Sequence, residues 1–454
     1  MNRYPYTNRI LLFVCLACSL LLLLWSAGQN DGMNTASSRP EAHPLSAPRY
    51  VLTTTQTISS PVQPVSTPTV TAVLPQASIL PAALYFLDTS AQIMRLEIDG
   101  TTVRQITNET SPVTNFDVAP IDEYLVYLSD NKLFRADSNG TNRDLILDGG
   151  AMGDVGTALY ARNAILGFTI APDGKRLALT RYGIYLIEDI TVPDPLATMQ
   201  LLVPNVPAVS REQSPFYDER YIATSSSWSP DGTQLLLTGT APGDAIFHVL
   251  YDLQRGQLRE LAVPTAQQER ERSLQLNRLC YTPVLGGITW LRNGNEFLIA
   301  NDVYGMYGPP GLSVVSMADG TVRPLFYAYI ACHPDVLEIR KETMRFFRGI
   351  HETKSGELWG FVNPSYDSTI PNILPLQMTH IDPRSGKLTP MRNDVHYLAH
   401  EILWADDDSG AMVIRRQRQG DSLNEEHGEL TWLPSDGGTA LRLGLHGEQL
   451  QWGK

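Results

Sequence analysis

The stretch that decides the fold is Ser226-Ser227-Trp228-Ser229-Pro230-Asp231-Gly232, followed by Gln234-Leu-Leu-Leu-Thr238, His248-Val-Leu-Tyr-Asp-Leu253 and Gln257-Leu-Arg-Glu-Leu261. It reads as a strand, a tight turn and three further strands. Proline at the second turn position presets φ, and Asp-Gly completes the turn because glycine accepts positive φ without steric cost. Working outward, the first strand of this unit recurs with the same punctuation. It appears as Phe168-Thr-Ile-Ala-Pro172-Asp173-Gly174, Ile288-Thr-Trp290-Leu-Arg-Asn293-Gly294 and Ile402-Leu-Trp404 running to Gly410, with weaker copies at Phe116 to Pro120 and Gly349 to Gly356. The third strand recurs too, from Ile93, Lys132, Ile184, Leu312, Met378 and Leu430, most copies ending in an Asp-Gly or Ser-Gly turn.

A four-stranded unit repeating every ~40–60 residues, with alternating apolar positions and Gly/Asp turns, is what a propeller blade requires. Helical periodicity is nearly absent, with candidate helices only at 267–276 and 336–345. The ends sharpen the expectation. The strands near Leu84 lack a preceding first strand, while Gly447-Glu-Gln-Leu-Gln-Trp452 looks like a first strand with nothing after it. Inserting Leu450 to Trp452 beside residues 83–107 would close the ring and remove an exposed edge. The expected fold is therefore all-β: a propeller of seven four-stranded blades closed by the C-terminal strand. Six blades, with one repeat absorbed into loops, is the alternative.

The Trp-Ser-Pro-Asp-Gly turn, together with the Arg-x-Leu or Arg-x-Ile strands at Arg259, Arg323 and Arg104, resembles the TolB-type, WD40-like propeller repeats of bacterial envelope proteins. The resemblance covers residues 83–454 and implies the fold. It leaves function open, because such repeats serve in periplasmic scaffolds and as the propeller of prolyl-oligopeptidase-like enzymes. Those enzymes carry an α/β-hydrolase domain after the propeller, and none is expected here.

Residues 1–28 carry Arg3 and Arg9, then an apolar run from Ile10 to Trp25, and read as a hydrophobic helix acting as signal anchor or signal peptide. The arginines should stay cytoplasmic, which places the remainder outside as a single-pass membrane protein. Cleavage after a small residue such as Gly28, giving a secreted form, and lipidation at Cys18 are the alternatives. Residues 29–82, rich in Ser, Thr and Pro, cannot bury enough apolar surface to fold and read as a disordered stalk. A net charge of −13 argues against nucleic acid.

The search for chemistry finds no Gly-x-Ser-x-Gly elbow, no complete His-Glu-x-x-His and no phosphate loop, so no catalytic residue, metal or cofactor is assigned. His351-Glu352 and His400-Glu401 begin the zinc pattern without finishing it, and are read as packing or rim residues. Asp173, Asp231 and Asp319 sit beside turn glycines, where the expected job is to bond backbone amides. The run Asp406-Asp407-Asp408 lacks the alternation of a calcium loop.

The long connections at 204–221, 263–285, 302–311, 327–345 and 363–375 are the candidate contact surface. They carry Tyr217, Arg278, Tyr281, Tyr304, Tyr307, Tyr329 and Tyr366, residue types enriched at binding hot spots; the alternative is that these aromatics cap the core beneath long loops. Cys280 and Cys332, in consecutive connections, could pair in an oxidising compartment or remain unrelated thiols. The expected function is protein binding or scaffolding by a monomeric propeller, with an envelope protein or glycan as partner. The alternative is an enzyme acting on glycans or other envelope polymers from the central channel.

Overall fold

The Pro-Asp-Gly turn forms as its chemistry requires. Gly232 adopts φ +67°, its N–H donates to the Ser229 carbonyl at 2.8 Å, and Asp231 Oδ1 accepts from the Thr233 amide at 3.0 Å. This arrangement is repeated around the computed structural model, which describes residues 78–153, 158–204, 222–241, 245–260, 287–301, 311–318, 322–327, 345–363, 375–385, 387–394, 396–397, 399–419 and 422–453. The expected N-terminal helix, the expected stalk up to residue 77, candidate helix 267–276, all of candidate helix 336–345 but its last residue, and Asp319 lie outside these residues. The expected end of the stalk is corrected: residues 78–82 belong to the folded part, because Leu80 is buried with Leu84 and Phe86. Among the described residues no helix is long and apolar enough to cross a membrane.

The strands follow the repeat. The first residues build β1 (Leu84–Asp88), β2 (Ile93–Leu96) and β3 (Val103–Gln105). Then come β4 (Val113–Val118), β5 (Leu125–Ser129), β6 (Lys132–Ala136) and β7 (Asp144–Asp148), and next β8 (Ile165–Ile170), β9 (Leu177–Arg181), β10 (Gly183–Ile187) and β11 (Met199–Pro204). The fourth group is β12 (Ile222–Trp228), β13 (Gln234–Ala241), β14 (Ala245–Asp252) and β15 (Gln257–Glu260), and the fifth is β16 (Gly287–Trp290), β17 (Glu296–Asn301), β18 (Gly311–Ser316) and β19 (Val322–Tyr327). The sixth is β20 (Phe347–Glu352), β21 (Leu358–Val362), β22 (Pro375–Ile381) and β23 (Leu388–Pro390), with β24 (His396–Tyr397) also on β22. Last are β25 (Ala399–Trp404), β26 (Gly410–Gln419), β27 (Ser422–Pro434) and β28 (Leu441–Trp452). A short helix, α1 (Ala158–Asn163), lies between β7 and β8.

Every ladder is antiparallel, and the strands within each group pair in chain order. The exception is a seven-stranded sheet in the order β25-β26-β27-β28-β1-β2-β3. Its hub is β28, whose first half pairs with β27 (Trp432↔Leu441, Gly428↔Gly447) and whose second half pairs with β1 (Asp88↔Gly447, Leu84↔Trp452). Gly447 is the crossover, where a Cβ would lie 2.4 Å from the Leu87 carbonyl oxygen. The C-terminal strand thus sits beside residues 83–107, where the missing first strand was expected.

Apolar side chains from successive sheets interleave. Leu235 and Trp228 pack with Leu186 and Ile184, Phe297 and Val315 with Leu236 and Leu250, and Leu87 and Ile93 with Phe116 and Leu125. Alternation therefore has a different meaning here from that in a sheet with one wet face. Both faces of the middle strands are covered by neighbouring sheets, as in the all-buried pattern of β5.

Antiparallel order also fixes two edges. Links from a group's first to second and third to fourth strands lie on one edge, the turn edge. Second-to-third links and links to the next group lie on the other, the connection edge. The described chain enters at the turn edge, where the amides of Ile79 and Leu80 donate to the Ile98 carbonyl in the β2–β3 turn at 2.9 and 3.0 Å.

Candidate functional site

The first strand of each group lies against the first strand of the next, and polar side chains stitch them together. Gln451 of β28 donates to the Phe116 carbonyl at 3.0 Å and accepts from the Val118 amide at 2.9 Å. Asp117 of β4 accepts from the Ile170 amide at 2.7 Å. The Trp228 indole N–H donates to the Thr169 carbonyl at 3.1 Å, and that of Trp290 to Ser227 Oγ at 3.0 Å. Thr289 donates to the Ile350 carbonyl at 3.2 Å, Trp404 Nε1 to the Gly349 carbonyl at 2.5 Å, and Trp452 Nε1 to the Trp404 carbonyl at 2.8 Å. The circuit returns to β28. Tryptophan suits this post because its large apolar body fills the space between sheets while its single N–H reaches a main-chain acceptor.

The acids of these inner strands are spent in the same way. Glu401 accepts from the amides of Gln449 and Leu450 at 2.8 and 2.5 Å. Its carboxyl is pushed up by burial and by the neighbouring Glu448, against the pull of those two amides. Burial likewise drives Asp117 up to about 6, opposed by hydrogen bonds from Ile170, Val118, Gln451 and Thr169. A carboxyl whose folded pKa exceeds its unfolded one favours folding most below the unfolded value of ~4, and that contribution is lost as pH rises through ~6. The turn acids Asp173, Asp231 and Asp408 are shifted down, so their contribution is present above ~4 and fails only in stronger acid. Thermal stability should therefore peak near pH 5 and fall by about 2–4 °C toward pH 7.5. Asp117→Asn should flatten that fall; an unchanged slope in the variant would show that Asp117 does not cause it.

His351, read from sequence as a rim or packing residue, joins the inner strand β20 to the turn after β25. Its Nε2 lies 2.7 Å from Asp408 Oδ1, and its ring stacks on Trp404 with centroids 5.3 Å apart and planes 13° apart. Asp408, at φ +66°, also accepts from the Lys354 amide at 2.8 Å. The acidic run thus acts as a clasp between two sheets. Asp173 and Asp231 bond backbone amides as expected. Among the described residues no group of three or more His, Cys, Asp or Glu is placed to hold a metal ion.

Tyr217, Arg278, Tyr281, Tyr304, Tyr307, Tyr329 and Tyr366, with Cys280 and Cys332, lie outside the described residues. The strand ends that carry them do not. Their segments run from β11 to β12, β15 to β16, β17 to β18, β19 to β20 and β21 to β22, and each of these links belongs to the connection edge. The sequence reading missed Asp117 and the two glutamines of β28, and named Glu401 only as part of an incomplete zinc pattern.

Four-stranded antiparallel sheets whose inner strands are stitched to one another define a β-propeller fold. No family model matches the chain, and no curated protein does. Among solved structures it is similar to a puromycin hydrolase, with a TM-score of 0.51 and 11% identity over 82% of this chain and 53% of that one. It is also similar to a puromycin-hydrolyzing peptidase of Mycobacterium tuberculosis, with a TM-score of 0.50 and 11% identity over 81% of this chain and 53% of that one. TolB from Acinetobacter baumannii matches at a TM-score of 0.38 and 14% identity, over 79% of this chain and 76% of that one. At such identities the likeness concerns the fold alone.

Proposed function

We propose that this chain is an extracytoplasmic, membrane-tethered propeller of seven four-stranded blades that serves as a protein-binding or scaffolding module. Seven follows from dividing β28, whose first half is the outer strand of the last blade and whose second half is the inner strand of the first. The circuit of inner-strand hydrogen bonds and the apolar clusters between successive sheets support this count. The arginine-flanked apolar run before residue 28 supports the tether.

The observation that carries the functional reading is that the strand ends flanking all five long connections fall on one edge of the sheets. A ring of rigid blades that gathers its longest segments on one face is built to present a surface. The inner-strand acids Asp117 and Glu401, engaged by main-chain amides, are not displayed as a pair for acid–base work. The test is capture of envelope components by the full chain, compared with a Tyr304→Ala, Tyr307→Ala, Tyr366→Ala variant. Loss of the same partner band by about tenfold supports the reading, whereas identical capture by a folded variant overturns it.

A further inference from the structure

One arginine of the last strand group stands without a partner. Arg415 of β26 lies opposite Ala399 on one side and Glu429 on the other. The side chain is half-buried, and its Nε is buried and donates to nothing. Among the described residues, every other buried or half-buried arginine has a partner. Arg135 holds Asp144, Arg176 holds Asp173, Arg392 holds Asp394, and Arg181 donates to the Gly149 carbonyl. A cation sunk between two sheets without an acceptor is costly, so its presence calls for a reason.

The surroundings of Arg415 supply one. Alternation along β26 puts it on the face of Ala411 and Val413, which pack with Phe361 and Met378 of the sixth group. Glu429 and Thr431 of β27, opposite Arg415 and Val413, share that face. Thr431 is 1% exposed and its hydroxyl also lacks a partner. From the facing sheet comes Arg348 of β20, whose cross-strand neighbour is Phe361, and it donates to the Ala399 carbonyl at 2.7 Å. Guanidiniums from two sheets thus flank Ala399. Arg442 is exposed and lies one strand further out, opposite Thr431. Around Arg415 itself the balance is two guanidiniums against the single carboxylate of Glu429, which one further monoanion completes and a dianion overshoots. Phe347, Val362 and Pro375, the strand ends that carry connections 327–345 and 363–375, lie on this same connection edge.

We propose that Arg415 anchors a docking site for the carboxylate of an acidic side chain from a partner polypeptide, with Arg348 as the second cation. A planar guanidinium whose stem is fixed by packing offers its terminal nitrogens as a fork that matches a carboxylate. The proposal rests on the reading of the connection edge as a contact surface and names the partner chemistry at one point of it.

The experiment titrates the full chain with three short labelled peptides of Gly and Ala around one central Glu, Gln or phosphoserine, followed by fluorescence anisotropy. The Glu peptide should bind at least about tenfold more tightly than the Gln peptide, and no less tightly than the phosphoserine peptide. Arg415→Met should bring the Glu peptide to the level of the Gln peptide while the thermal midpoint holds or rises, because a sunken cation without an acceptor adds nothing to the fold. An arginine with a merely structural role would lower the midpoint instead. Should the Met variant fail to fold, Arg415→Lys keeps the charge without the fork and should weaken the Glu peptide by about threefold or more. Equal binding of the Glu and Gln peptides, binding of neither, tighter binding of phosphoserine, or a folded variant that binds as the parent does would each overturn the proposal. The tyrosine variant described above should bind the Glu peptide normally, so failure of this site and failure of the loop surface are read separately.

Discussion

A chain ending at His446 should lose its cooperative unfolding transition. Removing residues 447–454 deletes the half of β28 that pairs with Leu84 to Asp88, and with it the buried Leu450, which packs against Leu84, Phe86 and Leu430. The same cut removes the edge-on contact of Trp452 with Trp432, centroids 5.8 Å apart, and the bonds of Gln449 and Gln451 to β4. Leu450→Ala alone should cost about 2–5 kcal/mol. Losing the whole strand adds an unpaired, fully buried strand edge at β1, an aggregation template. Circular dichroism melts and size exclusion should show a broad transition and soluble oligomers. Supplying a peptide of residues 441–454 should restore part of the sharp melt. A truncated monomer melting within a few degrees of the intact chain would show that β28 is dispensable.

Trp404→Ala should be the most damaging single substitution among the inner strands, at about 3–5 kcal/mol. The indole is 7% exposed and lies against His351, Trp359 and Phe361, with centroids 5.3, 5.8 and 5.6 Å away. Its N–H holds the Gly349 carbonyl, and its own carbonyl receives Trp452, so one residue links three inner strands. Trp404→Phe keeps much of the packing but leaves the Gly349 carbonyl unpaired, and should cost about 1–3 kcal/mol. Urea unfolding followed by circular dichroism separates the two. Equal losses for Ala and Phe would mean that packing contributes little at this position.

The fold was legible because the turns carry their own chemistry. Pro172-Asp173-Gly174 and Pro230-Asp231-Gly232 mark strand ends wherever they occur, and Trp228, Trp290, Trp404 and Trp452 stand at one register of the repeat. Even the weak copies near Phe116 and His351 became strands in the expected places. The double duty of β28 was not legible, because nothing between Leu441 and Trp452 announces a change of partner except glycines that a continuous strand also tolerates.

The clasps were illegible for a different reason. Asp117 and Ile170 are far apart in the chain, and the acceptor's partner is a backbone amide, which leaves no mark on the sequence. His351 and Asp408 were visible separately, one as an incomplete zinc pattern and the other as part of an acidic run. Only the stacking of successive sheets shows that they belong together. The helix that forms, Ala158–Asn163, is too short to give a periodic signal.

The seam at β28 also sets an order of assembly. Leu84 and its neighbours are made early, yet their hydrogen-bonding partner, ending at Trp452, emerges only after every intervening strand. A contact of such sequence separation carries a large loop-closure cost until the sheets between are in place, so it forms late. The growing molecule must therefore hold an apolar, half-paired β1 unsatisfied until β28 is available. The period before β28 docks is when the chain is most exposed to misassembly.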